Sequence, residues 1–127
     1  MSNNIEKNLM EYFIGLLGQI KIYHWTTMSY VIHKALDELH SNLSDNIDEV
    51  MEVYIGKYNK QPINKFEINI SAANTDSSNI IDYLELEREN IRGIRNKYFK
   101  SSTEIQNIID NMLGNISKTI YLCKLKY

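Results

Sequence analysis

With 127 residues, 43% of them hydrophobic and 24% charged, the chain has the size and composition of one globular domain, residues 1–127. Fourteen Lys and Arg against sixteen Asp and Glu leave a formal charge of −2, which argues against nucleic acid or an acidic membrane as the default partner. A single cysteine, Cys123, excludes an intrachain disulfide and a Cys-based zinc site. No apolar run is long enough to span a bilayer, and Met1–Asn4 lacks the charged and apolar regions of a signal peptide, so the reading is a soluble, cytoplasmic protein. Five Gly and one Pro are few for the turns of a β-sandwich of this size, and the four periodic segments below read as an all-α chain.

The first predicted helix covers about 5–25. Ile5, Leu9, Phe13, Leu16, Leu17, Ile20 and Tyr23 recur every three or four residues, the period of one buried helix face. Asn3 with Glu6 resembles a capping box. Gly15 and Gly18 weaken helix propensity, or else permit a partner helix to approach closely. The second helix covers about 29–54, with the stripe Leu36, Leu39, Leu43, Ile47, Val50 and Tyr54. Thr26 or Thr27 is its expected N-cap and Gly56 its expected stop. The short link between these two helices predicts an antiparallel hairpin.

From Lys57 to Ser78 the helical period fails. The stretch holds the only proline, Pro62, and Phe66–Ile70 alternates like a short strand or an extended crossover. Two more helices follow, about 79–99 with Ile80, Leu84, Ile91, Ile94 and Tyr98, and about 102–124 with Ile105, Ile108, Ile109, Met112, Ile116, Ile120 and Cys123. Ser101 with Glu104 makes a second capping box, and Lys118, Lys124 and Lys126 suit the C-terminal end of the last helix. Four helices with one long crossover between the second and third is a known bundle topology.

Five polar residues form a constellation: His24, His33, Asp37, Asp48 and Glu52. On a wheel of about 100° per residue, the last four share one flank of the second helix, beside its apolar stripe and not opposite it, where a purely solvating face would lie. Imidazole with carboxylate suits iron or manganese, and imidazole also suits zinc. Asp37 and Asp48, however, lie about 16 Å apart along the axis, so one straight helix cannot bring both ends to one ion. Two copies paired antiparallel about a two-fold axis can. The His/Asp end of one copy then meets the Asp/Glu end of the other, making two equivalent sites per dimer. His24 closes the first helix and joins His33 and Asp37 across the short turn. Taken singly, Asp37, Asp48 and Glu52 read as solvated helix charges. Their joint spacing is what points to a metal.

The string Tyr23-His24-Trp25, then His33-x3-Asp37, then Asp48-x3-Glu52, resembles the ferroxidase signature of the Dps proteins, the mini-ferritins. The resemblance spans roughly residues 10–62. The His24-to-His33 interval is about three residues shorter than is usual in that family, so the turn must be tighter. The resemblance implies a ferritin-like four-helix bundle, an intersubunit di-iron site and a hollow dodecamer. It also implies oxidation of Fe(II) by peroxide or oxygen, with ferric mineral stored inside. His24, His33, Asp37, Asp48 and Glu52 would be the metal ligands, with Trp25 beside them as an oxidisable aromatic. A basic N-terminal extension of the kind many family members use to bind DNA is missing from this sequence. The string from His24 through Tyr58, together with Ile109–Leu125, is also similar to small uncharacterised proteins of large DNA viruses.

Other readings stand beside this one. A non-catalytic ferritin-like interaction module could dimerise with zinc or without metal. A DNA-protecting architectural protein is disfavoured by the charge balance. His40 falls within the apolar arc and reads as a packed histidine with a hydrogen-bond partner. Glu87 falls at the centre of the third helix's stripe, between Leu84 and Ile91. A buried carboxylate there calls for a basic partner such as Lys21, or marks a core metal ligand. Cys123 reads as an inert packed thiol. Glycine-rich phosphate loops, nucleophile elbows and zinc-protease motifs are all missing from the sequence.

Overall fold

The computed structural model describes residues 5–58 and 65–125, and among these the regular structure is four helices: α1 (Ile5–Thr26), α2 (Tyr30–Tyr58), α3 (Ser77–Tyr98) and α4 (Thr103–Cys123). The expected apolar stripes are the faces that turn inward. Leu9, Phe13, Leu16 and Ile20 of α1 meet Leu36, Leu39, Leu43 and Val50 of α2, with Ile80, Leu84 and Ile91 of α3 and Ile105, Ile109, Met112 and Ile116 of α4. Each such fully buried side chain contributes about 1.5–3 kcal/mol of transfer free energy. At the α3–α4 turn, Phe99 is buried edge-on against Tyr54, ring centroids 5.8 Å apart, and closes that end of the core.

Cross-helix contacts fix the topology. Tyr12 of α1 meets Glu87 of α3 while Tyr23 meets Asn79 and Tyr83, so α3 runs antiparallel beside α1. Asn46 of α2 meets Asn115 of α4 while Lys57 meets Glu104, so α4 runs antiparallel beside α2. The end of α2 and the start of α3 therefore lie at opposite ends of the bundle, and the connection travels its length along α1. The Glu67 amide donates to the Glu11 carboxylate at 3.1 Å. Further along, Gln19 acts as a surrogate strand. Its Nε2 donates to the Ser71 carbonyl at 2.7 Å and its Oε1 accepts from the Ser71 amide at 2.9 Å.

The crossover accounts for the two glycines of α1. A Cβ on Gly18 would collide with the Cδ1 of Ile70, whereas one on Gly15 would sit 4.0 Å from Ile68. The element that approaches α1 at Gly18 is thus the extended crossover and not another helix. Phe66–Ile70 forms no strand, because its backbone has no neighbouring strand to pair with among the described residues.

Several helix ends differ from expectation. Ser29, not Thr26 or Thr27, caps α2, its Oγ accepting from the Ile32 amide at 3.2 Å. The helix then runs through Gly56 to Tyr58. At α4 the N-cap is Ser102 and not Ser101, and its hydroxyl makes no cap bond. The Ser102 hydroxyl is fully buried and meets Lys57 Nζ at 3.1 Å and the Tyr58 hydroxyl at 3.0 Å, while Glu104 pairs with Lys57 at 2.8 Å. A contact between helix ends thus replaces the expected capping box. Lys124 caps α4 and pairs with Glu85 at 3.4 Å. Asn3, Pro62 and Lys126 lie outside the described residues.

Candidate metal centre at the α1–α2 turn

The turn between α1 and α2 is only Thr27–Ser29, and its shortness determines the geometry around it. The Thr27 amide donates back to the Tyr23 carbonyl at 3.0 Å, and the Thr27 hydroxyl accepts from the Ser29 amide at 3.2 Å. The last turn of α1 and the first turn of α2 are thereby held side by side, with His24 against His33.

The two imidazoles bond reciprocally. Nδ1 of His24 lies 2.8 Å from the His33 carbonyl oxygen, and Nδ1 of His33 lies 2.8 Å from the His24 carbonyl oxygen. A carbonyl only accepts, so each Nδ1 carries a proton and donates it. The rings stack 4.1 Å apart at 16°. In its neutral form such an imidazole presents Nε2 with its lone pair free, the tautomer a metal-binding histidine adopts when its other nitrogen is fixed by a carbonyl. The His24 ring is buried, and its Nε2 lies 3.8 Å from Asp37 Oδ1, too long for a hydrogen bond. Tyr30 stacks on the outer side of His33 at 6.4 Å.

Of the five expected ligands, one chain stacks His24 on His33 and sets Asp37 3.8 Å from His24. Asp48 and Glu52 are exposed further along α2. Among the described residues no three His, Cys, Asp or Glu side chains stand close enough to hold a metal within one chain. Trp25 follows His24 and is 66% exposed. His40 is half-buried and, contrary to expectation, makes no hydrogen bond among the described residues. Burial lowers its pKa, with Lys21 and then His24 adding to the effect and Asp37 opposing it.

Glu87 has no basic partner among the described residues. Its Oε1 accepts from the Tyr12 hydroxyl at 2.6 Å and from Asn90 at 3.2 Å. Burial, followed by the Glu87 hydrogen bond, pushes the Tyr12 phenol well above its ordinary value, so it stays a donor. A phenol does here what a cation was expected to do. Cys123 is buried and its thiol is pushed up to about 11 by burial, which keeps it protonated and inert. Sequence reasoning missed Gln19. Its position on the buried face of α1 is the signal that marks it, since a buried amide there requires polar partners.

A family of unknown function (DUF5856) matches residues 24–123, a span that begins at His24 and covers all five expected ligands. The chain belongs to this family. It is also 31% identical over 118 residues to an uncharacterized 14.6 kDa protein from the mobD-ri intergenic region of Enterobacteria phage T4. That match covers 90% of this chain and 87% of the phage protein. The similarity to small proteins of large DNA viruses is therefore supported. The mini-ferritin resemblance receives no support from either match. No solved structure matches the chain. No described helix is long and apolar enough to cross a membrane.

Proposed function

We propose that the chain is a Dps-like, ferritin-like bundle that binds iron between two copies of itself and oxidises Fe(II), with peroxide or oxygen as the oxidant. The observation that carries this reading is the reciprocal histidine pair, which ties both Nδ1 atoms to backbone and leaves the two Nε2 atoms without a hydrogen bond, that of His24 beside Asp37. The topology agrees, since an α2–α3 crossover running the length of the bundle is a ferritin-like connection. So does the register of α2. The segments His33–Glu52 and Asp37–Asp48 share one midpoint, between Asn42 and Leu43. A single two-fold axis there brings Glu52 to His33 and Asp48 to Asp37 at both ends. Iron, when bound, would supply the redox chemistry. The chain's part is to orient the imidazoles and carboxylates on a rigid helix pair.

The test is an anaerobic Fe(II) titration followed by peroxide. The wild type should develop ferric absorbance in the near ultraviolet. The Asp48→Ala, Glu52→Ala double variant should develop none while its helical circular dichroism is unchanged. Iron uptake by that variant equal to the wild type would overturn the assignment. A second reading, a metal-free interaction module, draws on Met28 and Tyr30, which are 98% and 73% exposed at the same end of the bundle. It prevails if the wild type assembles and takes up no iron.

A further inference from the structure

We propose that the crossover is an edge strand that pairs with the crossover of a second copy, antiparallel and centred on Ile68. The contact runs main chain to main chain and uses no residue of α2, so it stands apart from the iron reading.

Along one edge the segment already has the geometry of a strand. The Glu67 amide meets Glu11, and the Ser71 amide and carbonyl both meet Gln19, the doublet a neighbouring strand would supply. Glu11 and Gln19 stand eight residues apart on α1, about 12 Å at 1.5 Å per residue. From Glu67 to Ser71 the crossover covers that span in four steps of about 3 Å, close to the rise of a β-strand. In such a backbone the N–H and C=O groups of alternate residues point to opposite edges. Glu67 and Ser71 point theirs toward α1, so Phe66, Ile68 and Ile70 point theirs away from it. Among the described residues none of these outward N–H and C=O groups makes a hydrogen bond, and all three residues are exposed. Ile68 and Ile70 seat their side chains at Gly15 and Gly18, which fixes the strand before a partner arrives.

The occupant follows from the sequence of the edge itself. Phe66-Glu67-Ile68-Asn69-Ile70 is complementary to its own reverse. Centred on Ile68, an antiparallel pair sets Phe66 opposite Ile70 of the second copy, Ile68 opposite Ile68, and Glu67 opposite Asn69. A carboxylate thus meets an amide that can donate to it. Centred on Glu67, the same strands would oppose two carboxylates, which destabilises a sheet. The three outward-facing pairs exchange about six main-chain hydrogen bonds. Phe66, Ile68 and Ile70 are 36%, 38% and 39% exposed, and the neighbouring strand covers part of that apolar surface. Neither a proline nor a lysine, the residues that blunt an open edge, occurs between Phe66 and Ile70. One two-fold axis through Ile68 satisfies both copies at once and closes the pair.

The experiment is NMR amide exchange on the full chain in chelator at rising protein concentration, with sedimentation equilibrium in parallel. The amides of Phe66, Ile68 and Ile70 should gain protection as the dimer forms, while that of Asn69 stays fast. Samples of mixed isotope labelling should show the Glu67 Hα close to the Asn69 Hα of the other copy. Ile68→Pro removes the central outward donor and should weaken association about tenfold, whereas Ile68→Val keeps the donor and should not. Asn69→Lys sets a cation opposite Glu67 and should tighten the dimer, and Asn69→Glu should loosen it, with helical circular dichroism unchanged in both. These two exposed substitutions keep the test valid if Ile68→Pro loosens the crossover from α1. A chain that stays monomeric at every concentration overturns the proposal. So does a dimer whose crossover amides exchange at the monomer's rate, or one that Asn69→Lys and Asn69→Glu shift alike. Association that instead responds to Asp48→Ala, Glu52→Ala and spares these amides assigns the contact to α2 and overturns the strand pairing.

Discussion

The histidine clasp can be measured apart from any metal. His24→Ala and His33→Ala each remove one side-chain-to-carbonyl bond of 2.8 Å and the shared ring stack at 4.1 Å. A net hydrogen bond of this kind is worth about 1 kcal/mol, and the stack about another 1 kcal/mol. Each single variant should therefore lose about 2 kcal/mol. The double variant removes both bonds but only one stack, so it should lose about 3 kcal/mol and not 4. The coupling of about 1 kcal/mol is the signature of two rings acting on each other. Urea unfolding in the presence of a chelator gives all three values, with an unchanged m-value as the check that the denatured state is comparable. Strict additivity would show that the rings do not interact across the turn, and single variants that cost nothing would remove the carbonyl bonds on which the tautomer argument stands. Nitrogen NMR offers an independent check, since both imidazoles should carry their proton on Nδ1.

The crossover predicts opposite outcomes for two neighbouring glycines. Gly15→Ala should stabilise by about 0.5–1 kcal/mol through helix propensity, because its Cβ meets only Ile68 at van der Waals distance. Gly18→Ala should show no such gain, since Ile70 must leave its seat, and Ile70→Ala in the same chain should restore it. Tyr12→Phe should cost about 1–2 kcal/mol by removing the donor to Glu87, and a loss near zero would mean that water replaces the phenol. His40 has a lowered folded pKa, so between that value and its ordinary 6.5 the folded state holds fewer protons than the unfolded chain. Stability should then decline as pH falls through this window, and urea curves of His40→Gln should decline less. Parallel pH profiles for the two proteins would refute the assignment.

The four helices were legible because each carries its own periodic stripe, and most stripe residues are buried, with Ile5, Leu17, Ile94, Tyr98 and Ile108 half-buried at its margins. Every member of the predicted α2 stripe from Leu36 to Tyr54 is buried. What escaped reading is what depends on a neighbour. Gly18 announces a close approach but not by whom, and the answer, Ile70, lies fifty-two residues away. Ser101 and Glu104 fit the local pattern of a capping box, yet Lys57 at the end of α2 competes for Glu104 with a full charge and prevails over a backbone amide. Glu87 looked like half of an ion pair because its stripe position is visible, whereas the Tyr12 hydroxyl reaching it from α1 is not. The candidate site divides in the same way. His24 stacks on His33, with Asp37 3.8 Å from His24, because a three-residue turn forces it to, which chain spacing alone can reveal. Asp48 and Glu52 stand apart in any single copy, because 1.5 Å of rise per residue separates them whatever the fold.

The two nitrogens of each imidazole serve different ends, and this division makes the clasp more than a helix staple. A staple needs only one donor and one acceptor, and Asn or Gln could supply both. Stacked histidines fixed through Nδ1 add a second, outward-facing basic nitrogen on each ring. The helix hairpin cannot use it, because the turn is already closed by the backbone bonds around Thr27 and Ser29. Burial of His24 raises the stakes further, since a polar nitrogen shielded from water is costly to leave without a partner. Substituting Asn at both positions therefore separates the two uses. If the Asn variants keep the fold's stability and lose iron uptake, the outward nitrogens carry the function. If they keep both, the pair is a staple and nothing more.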